Sequence, residues 1–211
     1  MSPTNPGGQK LYVPAPFAPA DRSIGWQVIS EYPFGLLLLP DGSMTPLPFL
    51  GDERTSLLRG HLARANSASS VPDGSEATVA FMGPHAYVSP TWYRSPREHA
   101  PTWNYIFVRV TGTLRWLTTT QTRQVLDDLC RKFEETDGYS PGWVDDEKMA
   151  RMLEEIVGFE IRVSDVQPKL KLSQNRTSED WARVKDRFAA SPPPGPDLAR
   201  WMVQTRNPEG R

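Results

Sequence analysis

Short apolar runs separated by clusters of turn residues constrain this chain more than any other feature. Three such runs follow one another closely: "GLLLLP" (35–40), "SMTPLPFL" (43–50) and "TSLLRGHL" (55–62). The clusters "DGS" and "GDER" between them are typical of tight turns. Because runs of this length are shorter than most helices, they predict three neighbouring short strands.

Three longer segments carry the alternation of apolar and polar residues that marks a strand. "EATVAFMG" (76–83) alternates roughly, whereas "NYIFVRVTGTLRWL" (104–117) clearly places Ile106 and Val108 on one face. "FEIRVSDVQPKLKLS" (159–173) alternates in the same way. We expect the first two to be central strands and the third to have one face in water.

Other segments have helical periodicity. A first helix is predicted to begin near the capping residue Asp21 and to end where Pro33 and Gly35 break it. Three amphipathic helices are predicted over residues 118–138, 145–158 and 177–190. A further helical piece is expected in "HLARANSASS" (61–70). Short strands around turns, interleaved with helices, predict an α+β fold: a small β-barrel decorated with helices.

The two ends of the chain differ in composition from its middle. Residues 1–20 are rich in Pro and Gly and predict an N-terminal arm, whose second half contacts the body through residues such as Leu11 and Phe17. Residues 21–190 are predicted to form one domain. The stretch "SPPPGP" predicts a stiff linker followed by a tail, so we expect removal of residues 191–211 to leave ligand binding intact.

Composition excludes several classes of protein. The 24 Lys and Arg residues balance 25 acidic residues, so no global positive field attracts nucleic acid. The single cysteine, Cys130, cannot form an intrachain disulfide, which favours a reducing compartment. The apolar run at 35–39 is too short to cross a bilayer, and the N-terminus lacks a signal-peptide core. We expect a cytoplasmic protein that is not embedded in a membrane.

The common catalytic motifs are missing from the sequence. The three histidines, His61, His85 and His99, do not have the close spacing of a zinc motif. No glycine-rich phosphate loop and no Gly-x-Ser-x-Gly sequence occurs. Nucleotide hydrolysis and serine hydrolysis are therefore not expected.

The segment from residue 83 to residue 105, "GPHAYVSPTWYRSPREHAPTWNY", combines prolines with aromatic rings and histidines. Proline removes a donor from a strand ladder, and aromatic rings gain little when they stay in water. The segment therefore predicts a stiff irregular loop that folds over something flat. Since one small barrel cannot bury so many rings alone, we also expect this segment to lie in a homodimer interface.

Two constellations contain groups that bind ligands. In "GHLARAN" (60–66), His61 is either an axial ligand of a metal or a histidine bonded to the backbone, while Arg64 and Asn66 either bind an anion or cap a turn. In "KLKLSQNR" (169–176), Lys169, Lys171 and Arg176 offer donors suited to phosphate or propionate, and a solvated basic turn is the alternative.

Several motifs occur together in an order that resembles the PaiB-type family of FMN-binding negative transcriptional regulators. They are "GHLARAN", "FMGPHAYVSPTWY", "APTWNY", "IVGFEI" and "KLKLSQNR", and the resemblance extends from Leu11 to Phe188. It implies an FMN-binding split β-barrel, a homodimer, and cofactor sites at the subunit interface. The proline-rich aromatic segment would then form a wall of the cofactor pocket.

The same motifs resemble those of the piperazate synthases, which share the fold and bind haem. The histidine of "GHxxRAN" is the axial haem ligand in those enzymes and corresponds to His61. The segment "MTPLP", with Pro46 where regulator-like members have histidine, also leans toward a haem enzyme. "KLSQNR" and "SPTWY" instead favour the general family, and "ARANSASS" lacks the proline that usually follows "RAN".

These resemblances lead to alternative functions. The first is a PaiB-type protein that binds FMN or haem b, has a regulatory or redox role, and lacks an evident DNA-reading element. The second is a haem-dependent enzyme that forms an N–N bond in an N-hydroxylated ornithine; the third is a flavin oxidoreductase. Whether the protein is an enzyme stays open. The expected cofactor-binding residues are His61, Arg64, Asn66, Tyr93, Trp103, Asn104, Lys171, Ser173, Gln174 and Arg176.

Overall fold

The computed structural model describes residues 10–206 as one seven-stranded antiparallel sheet with five α-helices. The strands are β1 (Phe34–Leu38), β2 (Met44–Pro48), β3 (Leu50–Asp52), β4 (Leu57–Ala63), β5 (Glu76–Val88), β6 (Thr102–Trp116) and β7 (Ile156–Lys171). The helices are α1 (Ile24–Glu31), α2 (Thr119–Phe133), α3 (Asp146–Glu154), α4 (Ser178–Ala189) and α5 (Gly195–Gln204). The strand order is β2-β1-β5-β6-β7-β4-β3.

The long strands alternate between a buried inner face and a more open outer face. On β6, Ile106, Val108 and Val110 are fully buried in the core, as the sequence pattern predicts. Phe49 is at the centre of an aromatic group in that core, with ring centroids 5.3 Å from Phe81 and 5.9 Å from Phe159. Helices α1, α4 and α5 cover this inner face.

The outer face is covered at one end only. There, α2 packs on β4 and β7: Thr122 Oγ1 accepts a hydrogen bond from the backbone N–H of Gly158, and Arg59 forms an ion pair with Asp128. A Cβ on Gly158 would approach Thr122 Oγ1 to 2.7 Å, so the glycine permits this contact. At the other end, where β5, β6 and β7 meet beside Lys171, the face carries exposed aromatic rings.

The aromatic segment 83–105 differs from its prediction. Its first residues continue β5 as far as Val88, and its last residues begin β6 at Thr102, so only residues 89–101 form an irregular connection. A register shift between Met82 and His85 explains how a strand accommodates Pro84, because a bulge residue need not donate to the ladder. The prediction of a loop over the whole segment is therefore wrong.

The helix predicted to begin at His61 is also wrong. Strand β4 continues through His61 to Ala63, because it pairs with β7 along its whole length. The remainder of the predicted helix is a single 3₁₀ turn, Ser67–Ser70, and Asn66 caps it. Long-range pairing overrides the helical propensity of "HLARA".

The other helices agree with the sequence pattern. Thr118 caps α2 through a capping box, and Thr177 caps α4 by accepting a hydrogen bond from the backbone N–H of Asp180. Asp145 caps α3, which ends at Glu154 rather than at the glycine expected to end it. None of the helices in the described part of the chain is long and apolar enough to span a membrane.

The C-terminal residues do not form the predicted tail. Residues 195–204 form α5, which packs on α4 and places Leu198, Trp201 and Met202 in the core. Trp201 has no exposed surface. The prolines of "SPPPGP" therefore turn the chain back onto the domain instead of leading away from it. The last five residues of the predicted tail, 207–211, lie outside the described residues.

The N-terminal arm is described from residue 10 onward. A 3₁₀ turn at Ala15–Phe17 lies against β7, and the backbone N–H of Leu11 donates to Gln167 Oε1 at 2.8 Å. These contacts hold the second half of the predicted arm against the body. Residues 1–9 lie outside the described residues.

Candidate functional site

The open end of the outer sheet face forms a continuous surface of aromatic and basic side chains. We call it the aromatic–basic face; it consists of His85, Tyr87, Trp103, Tyr105, Lys169 and Lys171. Strand pairing brings them together, since His85 lies opposite Tyr105, Tyr87 opposite Trp103, and Tyr105 opposite Lys171. Directly opposed residues of an antiparallel pair share a face.

Two large rings of this face are strongly exposed. Tyr87 is 45% exposed and Trp103 is 51% exposed, and their ring centroids lie 6.4 Å apart. The Trp103 ring also lies 6.2 Å from the ring of His85. Exposed rings grouped in this way are typical of a ligand site or an interface, and they offer flat surfaces on which a planar ligand can stack.

Three cations lie at the edge of the aromatic–basic face. Lys169 Nζ lies 5.6 Å from the ring centroid of Tyr105, and Lys171 Nζ lies 5.9 Å from it and donates to Thr102 Oγ1. Burial, together with the charges of Arg176 and Lys169, lowers the pKa of Lys171. Within residues 10–206, none of these three cations forms an ion pair. Their positive charge is thus available to an anionic ligand.

Arg176 lies behind this edge in contact with two rings. Its guanidinium carbon lies 4.7 Å from the ring centroid of Tyr93, and its NH1 lies 3.1 Å from His99 Nδ1. The ring centroids of Tyr93 and His99 lie 4.7 Å apart. Tyr93 is 1% exposed, and its buried hydroxyl has no hydrogen-bond partner among the described residues. The structure therefore places Tyr93 beneath Arg176 rather than on the open surface.

Asn104 points away from the aromatic–basic face. It is 1% exposed, its Oδ1 accepts a hydrogen bond from Ser173 Oγ at 3.0 Å, and its Nδ2 lies 3.8 Å from Met202 Sδ on α5. Asn104 and Ser173 were both expected to contact the cofactor. The structure instead brings them together in the core, where they fix the turn after β7 to β6.

Gln174 also has a local partner for each end of its side-chain amide. Its Oε1 accepts from the backbone N–H of Leu172 at 2.7 Å, and its Nε2 donates to the carbonyl of Leu170. Ser173 has a positive φ of 64° at this turn. The amide of Gln174 therefore stabilises a tight turn that displays Lys171 and Arg176 on either side.

His61 lies on the outer face of β4, directly opposite Gly158. Its Nδ1 is buried and has no hydrogen-bond partner among the described residues. Burial lowers the pKa of His61 below 6.5, which keeps the ring neutral at physiological pH. A neutral imidazole is the form that binds a metal.

Arg64 and Asn66 form local contacts instead of an open anion site. Arg64 Nε donates to the carbonyl of Glu154 at 2.9 Å, and its NH2 donates to the carbonyl of Ile156 at 2.8 Å. These bonds satisfy carbonyls at the end of α3. Asn66 accepts from the backbone N–H of Ala68 and donates to Thr45 Oγ1. Arg64 therefore joins the end of β4 to the connection between α3 and β7, and Asn66 joins it to β2.

His61 and Lys171 lie at opposite ends of the same sheet face. Gly158, the partner of His61, is thirteen residues before Lys171 on β7. At roughly 3.3 Å per residue, this corresponds to about 43 Å of strand. The strand register therefore puts these two predicted site residues at opposite ends of β7.

Sequence reasoning did not select His85, Tyr87 or Tyr105 as cofactor-binding residues, whereas Lys169 belonged to the basic group in "KLKLSQNR". His85 and Tyr87 were assigned to a loop, although they alternate with Ala86 and Val88 as strand residues do. The alternation was a signal that could have identified them. Among the described residues, no group of three His, Cys, Asp or Glu side chains is arranged to hold a metal ion.

Comparison with known proteins identifies the family of this chain. Residues 11–165 match the family model described as "Putative FMN-binding domain". The "Protease synthase and sporulation protein PAI 2" of Bacillus subtilis is 32% identical over 184 residues, which cover 82% of this chain and 87% of the relative. This match agrees with the resemblance found in the sequence motifs.

Two solved structures have a similar fold. The flavocytochrome Anf3 from Azotobacter vinelandii has a TM-score of 0.58 at 13% identity and covers 79% of this chain and 75% of its own. The FAD and haem binding protein from Mycobacterium smegmatis has a TM-score of 0.55 at 17% identity, and the match covers 72% of this chain and 71% of that protein. At these identities the similarity confirms the predicted split-barrel fold and no more.

Proposed function

This chain belongs to the FMN-binding domain family, and on that premise we propose that it binds FMN or haem b at the aromatic–basic face and has a redox or regulatory role. The observation that carries the proposal is the pair Lys169 and Lys171, which form no ion pair within residues 10–206 and lie on the same face as the exposed ring of Trp103. Both cofactors combine a flat ring system with anionic groups. The aromatic–basic face offers aromatic surface for the ring system and cations for the anionic groups.

The residues fit FMN in a specific way. The phosphate would be held by Lys171 and Lys169. Burial, and then the charges of Arg176 and Lys169, lower the pKa of Lys171, and a bound anion would offset these effects. Trp103 and Tyr87 would lie against the flavin ring. FMN, when bound, supplies electron or hydride transfer, while the protein orients it and shields it from water.

The residues also fit haem, with His61 as the axial ligand. The lowered pKa of His61 keeps its imidazole neutral, and its Nδ1 has no hydrogen-bond partner among the described residues. Of the three histidines, His61 is the one that lies at the end of the outer face covered by α2. Lys171 would then bind a propionate. Haem, when bound, would supply an iron centre for redox or ligand-binding chemistry, and His61 would be the residue that holds the iron.

A homodimer reconciles the two halves of the site. Because His61 and Lys171 are separated by about 43 Å of β7, a cofactor bound to both requires His61 from one protomer and Lys171 from the other. The exposed rings of Tyr87 and Trp103 favour the same arrangement, since a second copy would cover them. A regulatory role would act through the cofactor state or a partner rather than through a DNA-reading helix.

A haem-dependent enzyme resembling the piperazate synthases is the second candidate. It is favoured by a single observation, namely the partly buried, neutral His61 in the "GHLARAN" motif. In this alternative the substrate is an N-hydroxylated ornithine, and Lys171 and Trp103 would contact the substrate.

Reconstitution with each cofactor tests the proposal. Purified protein is titrated with FMN and with haem, and light scattering measures its mass before and after loading. Tight binding of one cofactor by a dimer supports the proposal, whereas a monomer that binds neither contradicts it. Mixing His61→Ala protein with Lys171→Ala protein tests the shared site, because a mixed dimer retains one site with both residues intact.

A further inference from the structure

A cleft lies on the inner side of the sheet, away from the aromatic–basic face. It has a volume of about 510 Å³ and is enclosed by three parts of the chain: the N-terminal arm with the start of α1, the end of β7 with the turn after it, and the start of α4 with the C-terminal end of α5. A volume of this size is typical of sites for small molecules.

The floor of the cleft is apolar. Leu170 and Trp181 line it from below and are both part of the core, and Ile24 lines it from α1. Pro16 and Pro19 of the N-terminal arm form the opposite wall. A ligand in the cleft would therefore bury an apolar body between the arm and the domain.

Two arginines line the same cleft. The guanidinium carbon of Arg206 lies 4.2 Å from the ring centroid of Trp181, and its NH2 donates to Ser178 Oγ at 3.2 Å. Arg176 reaches the cleft from the turn after β7. Neither arginine forms an ion pair with a carboxylate in residues 10–206.

One carboxylate lines the cleft, and it is already bonded. The oxygens of Asp21 accept hydrogen bonds from the backbone N–H of Ser23 at 2.8 Å and from Ser23 Oγ at 2.6 Å. These bonds lower the pKa of Asp21 and hold its charge at the first turn before α1. The arginines therefore keep donors for an anion from outside the chain.

We propose that this cleft is a second binding site, which takes a small molecule with an apolar, preferably aromatic, body and one anionic group such as a carboxylate, sulfonate or phosphate. The body packs on Trp181 and Leu170 beneath the N-terminal arm, and Arg206 binds the anion. Because Leu170 faces the core while Lys171 faces outward, this site lies on the opposite side of β7 from the cofactor site.

A fluorescent aromatic sulfonate, anilinonaphthalene sulfonate, serves as the probe. Its neutral counterpart phenylnaphthylamine has the same rings without the anion. We expect Arg206→Ala to lower the affinity for the sulfonate by about 10- to 100-fold, which is the usual contribution of a charge-assisted contact. The affinity for the neutral probe should change by no more than about twofold. Ala18→Phe, which fills the cleft from the arm, should weaken both probes.

Three controls locate the binding. Arg187→Ala removes an exposed arginine on α4 that does not line the cleft, and Lys171→Ala removes a cation from the aromatic–basic face; both should leave the sulfonate affinity unchanged. Unchanged sulfonate binding in both Arg206→Ala and Ala18→Phe would overturn the proposal. So would a loss that occurs only in Lys171→Ala, because the probe would then bind the outer face.

Titration with FMN separates this site from the cofactor site. Arg206→Ala and Ala18→Phe should bind FMN as the unmodified protein does. A loss of FMN binding in these two variants would mean that the cleft holds the cofactor itself, and it would contradict a second site. Failure of FMN to bind any variant, with probe binding as expected, would count against the proposed function but not against the cleft.

Discussion

Ser173 Oγ donates a 3.0 Å hydrogen bond to Oδ1 of Asn104, and this bond joins the turn after β7 to the inner face of β6. Both residues are buried, and Asn104 also contacts Met202 of α5. The neighbouring Trp103 lies on the opposite face and is half exposed. Two adjacent residues of the "TWNY" motif thus have different tasks, one in stability and one at the candidate site.

Asn104→Ala should lower stability without a direct effect on cofactor binding. The substitution leaves the buried hydroxyl of Ser173 without its acceptor, which typically costs about 1 to 3 kcal/mol. Chemical denaturation measures the loss. Trp103→Ala is the matched variant, and we expect it to change stability little but to weaken cofactor binding. A reversal of these two effects would show that Asn104 contacts the cofactor.

Lys171→Ala should lower the affinity for FMN by about 10- to 100-fold, because the substitution removes one charge-assisted contact to the phosphate. Flavin fluorescence titration gives the dissociation constant. Arg187→Ala, which removes an exposed cation elsewhere, should leave it unchanged. Equal affinities for the Lys171→Ala variant and the unmodified protein would mean that the basic turn is only a solvated surface.

His61→Ala separates haem from FMN. If haem is bound through His61, the variant should lose the Soret band or shift it, and added imidazole should partly restore it by replacing the missing ligand. FMN needs no lone imidazole ligand, so its affinity should change by no more than an ordinary hydrogen bond, about 0.5 to 1.5 kcal/mol. Absorption spectra after reconstitution with each cofactor distinguish the two results.

The lowered pKa of His61 predicts a pH-dependent stability. Well above pH 6.5 the ring is neutral in both the folded and the unfolded chain, so titration of His61 contributes nothing to the free energy of unfolding. As the pH falls below 6.5, the unfolded chain takes up a proton first, and the folded protein loses stability. Cofactor-free protein should therefore lose more stability between about pH 7.5 and about pH 5.5 than its His61→Gln variant does. Identical pH profiles would contradict this.

Trp201→Ala should be strongly destabilising, because it removes a fully buried ring that joins α5 to the core. Substitutions of this kind typically cost about 3 to 5 kcal/mol. Removal of residues 191–211 should lower stability by at least as much, whereas the proline-rich sequence had led us to expect a tail separate from the domain. Thermal unfolding measures both, with Val203→Ala, an exposed position on the same helix, as the control.

The sequence by itself determined most of the local structure. The alternation on β6 predicted which residues are buried, and the capping residue Thr177 marked the start of α4 correctly. These features depend on neighbours a few residues away, which the sequence displays directly. The order of the motifs also led to the family, which the comparisons confirm.

Only the tertiary structure decided which of the predicted residues can act together. Pairing between distant segments placed His61 in a strand instead of a helix, and the bulge after Met82 extended β5 into a segment that reads as a loop. Packing of α5 on the core turned a proline-rich end into part of the domain. Such contacts join residues far apart in the chain, and no local pattern encodes them. For the same reason, the separation of His61 from Lys171 along β7 became visible only in the folded sheet.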